Sequence, residues 1–276
     1  MSTPISIEFF PPNTPAGAEK LMHTAAQLKT LAPSYYSVTY GAGGSTRDRT
    51  RKVVLELQQA GYEVAPHLSF GSDDENAVGA LLQDYVDAGI RRLVALRGDA
   101  PSGSGTGRLK YARELVEFAR QRHGDFFRIA VACYPEVHPQ GQSLSRDIAF
   151  LKDKLDAGAD YAVTQYFYNI EAFLYFRERC VKAGISQPIY PGIMPITNME
   201  SLLRFSANCG ADIPRWLRYG LEDQKSDTDL LAFGEEVVTQ LCEQLIDAEV
   251  PGLHFYSLNR AEPTLNICRR LGLSAS

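Results

Sequence analysis

The sequence predicts a single (β/α)8 barrel, and three observations carry that expectation. Eight short runs rich in β-branched and aromatic residues recur along the chain, at 4–10, 35–40, 63–68, 91–97, 128–134, 160–167, 189–194 and 252–258. Most show little polar alternation, as parallel strands covered on both faces do. Amphipathic segments lie between them. In 74–88, Ala77, Val78, Leu81, Leu82, Tyr85 and Val86 share one face of a 3.6-residue period. Finally, Gly61, Gly89, Gly158 and Gly184 each close such a segment shortly before a strand, where the left-handed C′ position stops a helix.

The elements follow in order. The first run, PISIEFF, ends at Pro11 and Pro12, and the second, YYSVTY, runs into GAGGST (41–46). Ser72-x-x-Glu75 has the form of a capping box ahead of the 74–88 helix. The fourth run ends in Arg97-Gly98-Asp99, followed by the Gly-rich 103–107, and the fifth ends in YPEVHP (134–139). Thr197-x-x-Glu200 has the capping-box form before a helix at 199–208. The interval between the seventh and eighth runs is the longest, with room for two helices, one of them extra, and a polar stretch at 222–229. No linker interrupts residues 1–276, so one domain is expected. The doubly wound open sheet is the alternative; the strand count favours the barrel, and no GxGxxG follows the first strand.

Composition is that of an ordinary soluble protein, 45% apolar and 22% charged over 276 residues. Net charge is −5 with no long basic run, which argues against nucleic acid and anionic membrane as main partners. Five scattered cysteines without CxxC spacing read as free thiols in a reducing compartment. No signal-peptide pattern precedes the first strand, and no apolar run reaches the ~20 residues that span a bilayer. A cytoplasmic protein is the expectation.

In such barrels chemistry sits at the C-terminal ends of the strands. The sequence places there Glu8, Thr39-Tyr40, His67, Asp99, Tyr134 to Pro139, Thr164-Gln165, and Asn259, Arg260 and Glu262. Glu8 and Asp99 each read equally as catalytic groups or as halves of structural ion pairs. His67 and His138 taken singly read as satisfied histidines. GAGGST suits a phosphate cradle but reads more simply as a βα turn, and 103–107 reads as a loop. No HxH, HExxH, GxSxG or strand-end lysine is present, so metal, nucleophilic-triad and Schiff-base chemistry lack motif support. What remains is an acidic, aromatic, cofactor-dependent site.

The runs IEFFPP, SVTYGA, APHL, VALRGDAP, YPEVHP, AGADYAVTQYF and FYSLNRAE occur in one order from residue 5 to about 272. Together they resemble the bacterial type of 5,10-methylenetetrahydrofolate reductase. The resemblance implies non-covalent FAD, reduced by NADH or NADPH. The flavin then passes hydride from N5 to 5,10-methylenetetrahydrofolate, giving 5-methyltetrahydrofolate for methionine synthesis. It assigns Glu8 as general acid and Asp99 as a carboxylate beside the flavin that lowers its potential. Gln165 becomes an amide facing both pterin and nicotinamide, Tyr219 a stacking aromatic, and Arg260 a folate-site residue. For FAD the matching positions are Thr39, His67, Arg97, Asp99, Tyr111, Ala112, Tyr134, His138, Asp147 and Lys154. Arg97 and Lys154 would meet the pyrophosphate, and Asp147 the ribose hydroxyls.

The acid role sets an expectation about surroundings. Protonating a weakly basic pterin nitrogen needs a carboxyl pKa raised toward the working pH. Phe9, Phe10, Pro11 and Pro12 would form the low-dielectric wall that raises it. The chain departs from some members at Phe150 and Asp153, which replace an amide and a second basic residue on the Lys154 helix. The 213–223 segment is shortened, no helix precedes the first strand, and a C-terminal regulatory domain is expected to be absent. The lack of an Arg cluster for a 2′-phosphate tilts the reading to NADH. The resemblance also implies a homo-oligomer, dimer or tetramer. The alternatives are a proline-dehydrogenase-like flavin barrel, a silent folate- or flavin-binding barrel, and a cofactor-free lyase.

Overall fold

The structure, a computed structural model, describes residues 3–40, 44–70, 75–97 and 111–273. Eight parallel strands close into a barrel in chain order. They are β1 (Ile5–Phe9), β2 (Tyr36–Val38), β3 (Val64–Leu68), β4 (Arg92–Ala95), β5 (Arg128–Cys133), β6 (Tyr161–Tyr166), β7 (Ile189–Ile193) and β8 (Leu253–Tyr256). Each lies inside one of the eight apolar runs. Pairing of β1 with β8 (Ser6 opposite His254, Glu8 opposite Tyr256) closes the ring and excludes the open sheet.

The helices are α1 (Pro15–Leu28), α2 (Gly44–Gln59), α3 (Glu75–Asp87), α4 (Ala112–His123), α5 (Leu144–Asp156), α6 (Ile170–Lys182), α7 (Met199–Cys209), α8 (Arg215–Glu222), α9 (Asp227–Asp247) and α10 (Glu262–Arg270). Gly61, Gly89, Gly158 and Gly184 have φ of 83°, 75°, 113° and 81°, the left-handed stops the sequence predicts. Two expectations change. Three helices, not two, lie between β7 and β8, because the polar stretch at 222–229 is mostly helix end and helix start. Ser226 caps α9 by accepting from the Asp229 N–H at 3.1 Å. The cap of α7 is Asn198 rather than Thr197, its side chain accepting from the Ser201 N–H at 2.9 Å. Ser72 lies outside the described residues.

Two apolar clusters divide the interior. The larger joins the outward faces of the strands to the helices. The smaller, built on Tyr35, Ala65, Val94, Ala130, Tyr161 and Val163, fills the barrel lumen. Strand alternation sorts β1 between them: Ile7 and Phe9 belong to the outer shell, and Phe9 stacks on Tyr36 at 5.3 Å. Ser6 and Glu8 therefore point inward.

Candidate functional site

Glu8 ends β1 at the C-terminal mouth, with its side chain 15% exposed. Its Oε2 lies 3.2 Å from His67 Nε2 on β3 and 3.4 Å from both His254 Nε2 on β8 and Ser37 Oγ on β2. His67 Nε2 lies at ion-pair distance, and both its charge and its side-chain contact favour the carboxylate. His254 is held from behind by Ser6 Oγ, 2.8 Å from Nδ1. A neutral imidazole satisfies both contacts when Nε2–H donates to Glu8 and Nδ1 accepts from Ser6.

The low-dielectric wall expected around Glu8 is not there. Phe9 faces the outer shell, and Phe10 is 45% exposed. Neighbours in sequence alternate across a strand, so the apolar residues beside Glu8 point away from it. Burial alone pushes its carboxyl up. The charge of His67 and the contacts with His254 outweigh burial, and the pKa falls to about 2. In the ligand-free site Glu8 is a carboxylate.

A second group gathers around the end of β5. Tyr134 and His138 meet edge to face at 4.5 Å. Asp147 on α5 accepts the His138 backbone N–H at 2.7 Å. Gly141 belongs there because a Cβ would stand 2.7 Å from an Asp147 carboxylate oxygen. Arg97 reaches from the end of β4 to the Gln140 side chain. Lys154, two turns beyond Asp147, is half-buried and donates to the Ala132 carbonyl at 2.5 Å. Burial lowers its pKa, and no ion pair holds it among the described residues. An ammonium desolvated there and resting on one carbonyl is poorly compensated. It fits an anion, and the pyrophosphate of FAD is an anion of the required kind.

Other predicted residues stand apart from these groups. Thr39 follows β2, its carbonyl accepting from Thr50 Oγ1 at 2.8 Å. Tyr111, 59% exposed, precedes α4, with Ala112 buried beneath it. Gln165 sits within a register shift between Val163 and Tyr166, where β6 departs from regular pairing with β7. Such irregularities re-aim side chains near sites. Tyr219 on α8 is 60% exposed, and Arg260 after β8 is also exposed. Phe150 is 53% exposed with the Arg146 guanidinium 5.7 Å from its ring, and the Asp153 charge acts on Arg113 rather than replacing a lost cation. Asp99, residues 103–107 and the first three residues of GAGGST lie outside the described residues.

Sequence reasoning missed some side chains of this mouth and the contacts of others that it named, Asn259 and Glu136. His254 hides inside an apolar run, and only barrel closure brings it to Glu8, 246 positions away. Tyr256 donates across the lumen to the Thr164 carbonyl at 2.6 Å. Gly192 makes room for it, since a Cβ there would lie 2.6 Å from the Tyr256 ring. Asn259 clamps Phe10 with two hydrogen bonds, 3.0 Å from its N–H and 2.8 Å to its carbonyl. Ser257 Oγ donates to the Glu8 carbonyl at 2.7 Å. That brace forces Leu258 and Asn259 to φ of 51° and 55°. Glu136 accepts the Asp212 N–H at 2.8 Å, and burial, reinforced by the Asp212 charge, raises its carboxyl to about 7. The sequence signal for Glu136 is its place in YPEVHP and for Tyr256 its place in FYSLNRAE; for Gly192 there is none.

No described helix is long and apolar enough to cross a membrane. A solved structure of an uncharacterized protein from Clostridium thermocellum, described as binding two copies of 5-methyl-5,6,7,8-tetrahydrofolic acid, shares the fold. Its TM-score is 0.68 at 18% identity, over 97% of this chain and 93% of that one. The Arabidopsis thaliana protein named methylenetetrahydrofolate reductase (NADH) 1 is 37% identical over 98% of this chain and 48% of its own length. The 5,10-methylenetetrahydrofolate reductase of Salmonella typhimurium is 40% identical over 98% of this chain and 90% of its own. The family model described as methylenetetrahydrofolate reductase matches residues 1–272, so this chain belongs to the methylenetetrahydrofolate reductase family.

Proposed function

We propose that this oxidoreductase reduces 5,10-methylenetetrahydrofolate to 5-methyltetrahydrofolate with NADH, through bound FAD, and that a Glu8–histidine cluster supplies the proton. The observation that carries the reading is the convergence of Glu8, His67 and His254 at the catalytic mouth. NADH is favoured by the name of the Arabidopsis relative. Bound FAD would supply the hydride relay between the two substrates.

The protein's own residues hold, orient and protonate. Lys154 and Arg97 would take the pyrophosphate, and Asp147 the ribose. Tyr134, His138, Tyr111, Ala112, Thr39 and His67 would line the cofactor. Asp99 keeps the flavin-side role that the family resemblance assigns. Gln165 offers a donor and an acceptor on one amide, which suits a site that binds nicotinamide and pterin in turn. Tyr219 and Arg260 would close over the folate.

Glu8 presents the proton, but the correction to its pKa changes where that proton comes from. A bound pterin would exclude water and raise the cost of the carboxylate charge. Glu8 takes up a proton from solvent as the site closes and gives it to the pterin nitrogen, and the carboxylate left behind again accepts from His254 Nε2–H while Ser6 holds Nδ1. The histidines thus stabilise the carboxylate that Glu8 becomes after giving up its proton.

Separate anaerobic half-reactions test this. Glu8→Gln is expected to accept hydride from NADH at close to the native rate. It should lose about 10²–10⁴-fold in reoxidation by methylenetetrahydrofolate, the range for general acid catalysis. Equal losses in the two half-reactions would remove the assigned role.

A further inference from the structure

The N-terminal end of the barrel, opposite the catalytic mouth, carries its own chemistry. A cavity of about 180 Å³ opens there among the strand starts, bordered by Ser6, Tyr35, Arg92, Arg128, Tyr161 and Tyr190. No carboxylate lines it among the described residues. Arg92 and Arg128 begin β4 and β5 and are direct partners in the register. Like charges opposed across a ladder repel. Neither has an ion pair among the described residues. Their guanidiniums rest on rings instead, Arg92 4.8 Å from Tyr35 and Arg128 5.2 Å from Tyr161.

Tyr161 adds an independent observation. It is 1% exposed, and its hydroxyl has no hydrogen-bond partner among the described residues. Tyr35 and Arg92 are polar neighbours that favour its ionised form, and neither gives its O–H a hydrogen bond of full geometry. An unmet buried donor costs about 1–3 kcal/mol. Two facing cations and an orphan O–H on one cavity are relieved by the same partner, an anion that accepts from all three.

We propose that the N-terminal mouth binds a small oxyanion, phosphate or the carboxylate of a small organic acid, between Arg92, Arg128 and the Tyr161 hydroxyl. Size agrees: drug-sized ligands occupy roughly 300–1,000 Å³, so this cavity is too small for folate or a dinucleotide. The site shares the lumen with the catalytic mouth through Ser6, which borders the cavity and holds His254. It does not rest on the role assigned to Glu8.

Calorimetric titration of the FAD-loaded protein with inorganic phosphate, and in parallel with succinate, tests it in an otherwise oxyanion-free buffer. Loading with FAD keeps phosphate away from Lys154. Saturable single-site binding of at least one anion is expected. Tighter phosphate assigns the site to phosphates, and tighter succinate to carboxylic acids. Arg128→Gln should weaken binding about tenfold or more. Tyr161→Phe should weaken it about threefold or more while leaving stability in anion-free buffer equal or higher, because it deletes an unmet hydroxyl. NADH-driven flavin reduction, to which neither residue contributes, serves as the folding control. Absence of saturable binding by either anion, or binding unchanged in both variants, overturns the site. So does a loss of stability in anion-free Tyr161→Phe, which would make the hydroxyl structural.

Discussion

Two carboxyls at the catalytic mouth are driven in opposite directions, and this has consequences for single residues. Glu8 is held down to about 2 because, although burial raises it, two imidazoles outweigh burial. Its contribution to stability is present above the ordinary value of 4.5 and is lost as pH falls toward 2. Glu136 is raised to about 7 by burial and the Asp212 charge. Its contribution is present below 4.5 and is lost as pH rises toward 7. Thermal melts of Glu136→Gln should therefore lack the decline between pH 4.5 and 7 that the native protein shows, a difference of several degrees at pH 7. A native-like decline in the variant would mean that Glu136 titrates normally. Because burial raises Glu136 to about 7, substrate affinity in the same variant should lose any step near neutral pH.

The elements set these residues in place, and the tightest constraint lies between β6 and β7. A Cβ on Gly192 would stand 2.2 Å from the Thr164 carbonyl and 2.6 Å from the Tyr256 ring. Gly192→Ala must push β7 from β6 or tilt Tyr256 off Thr164. A cost of about 1–3 kcal/mol is expected for such overpacking, read as a lower urea midpoint. Folate-dependent flavin reoxidation should slow more than NADH-dependent reduction, because Tyr256 stands on the Glu8 side of the lumen. At this scale the sequence was highly legible. Apolar runs and left-handed glycines mark the strands and helix stops because both are local signals. The third helix between β7 and β8 was not legible, because a charged, polar stretch reads as a linker unless its serine cap is seen accepting from Asp229. Glu8 shows the opposite failure. Its position was read correctly and its environment wrongly, since Phe9 and Phe10 are neighbours along the chain and not across the lumen. His254, which decides that environment, becomes adjacent only when β8 pairs with β1.

Across the whole molecule, the groups that would bind charge are the ones least well satisfied without it. Lys154 is half-buried, its one hydrogen-bond partner among the described residues is the Ala132 carbonyl, and desolvation lowers its pKa. Holding it as an ammonium there costs folding free energy, which bound anion would return. Lys154→Met, similar in length and apolar, keeps the packing and removes the charge. The variant without cofactor is therefore expected to melt at the same temperature as the native protein or higher. Its FAD affinity should fall about tenfold or more, the loss of one charge-assisted contact. Saturating FAD should accordingly raise the melting temperature of the native protein by several degrees more than that of the variant. Flavin fluorescence during titration and paired melts with and without FAD measure both quantities. A variant that loses stability without cofactor yet keeps native FAD affinity would make Lys154 part of the barrel wall instead. The same opposition of stability and binding separates Lys154 from Arg120, whose guanidinium is fully engaged by the Gly158 and Phe127 carbonyls and Asp160. Losing Arg120 should destabilise the barrel and leave FAD affinity unchanged, because every one of its partners is already protein.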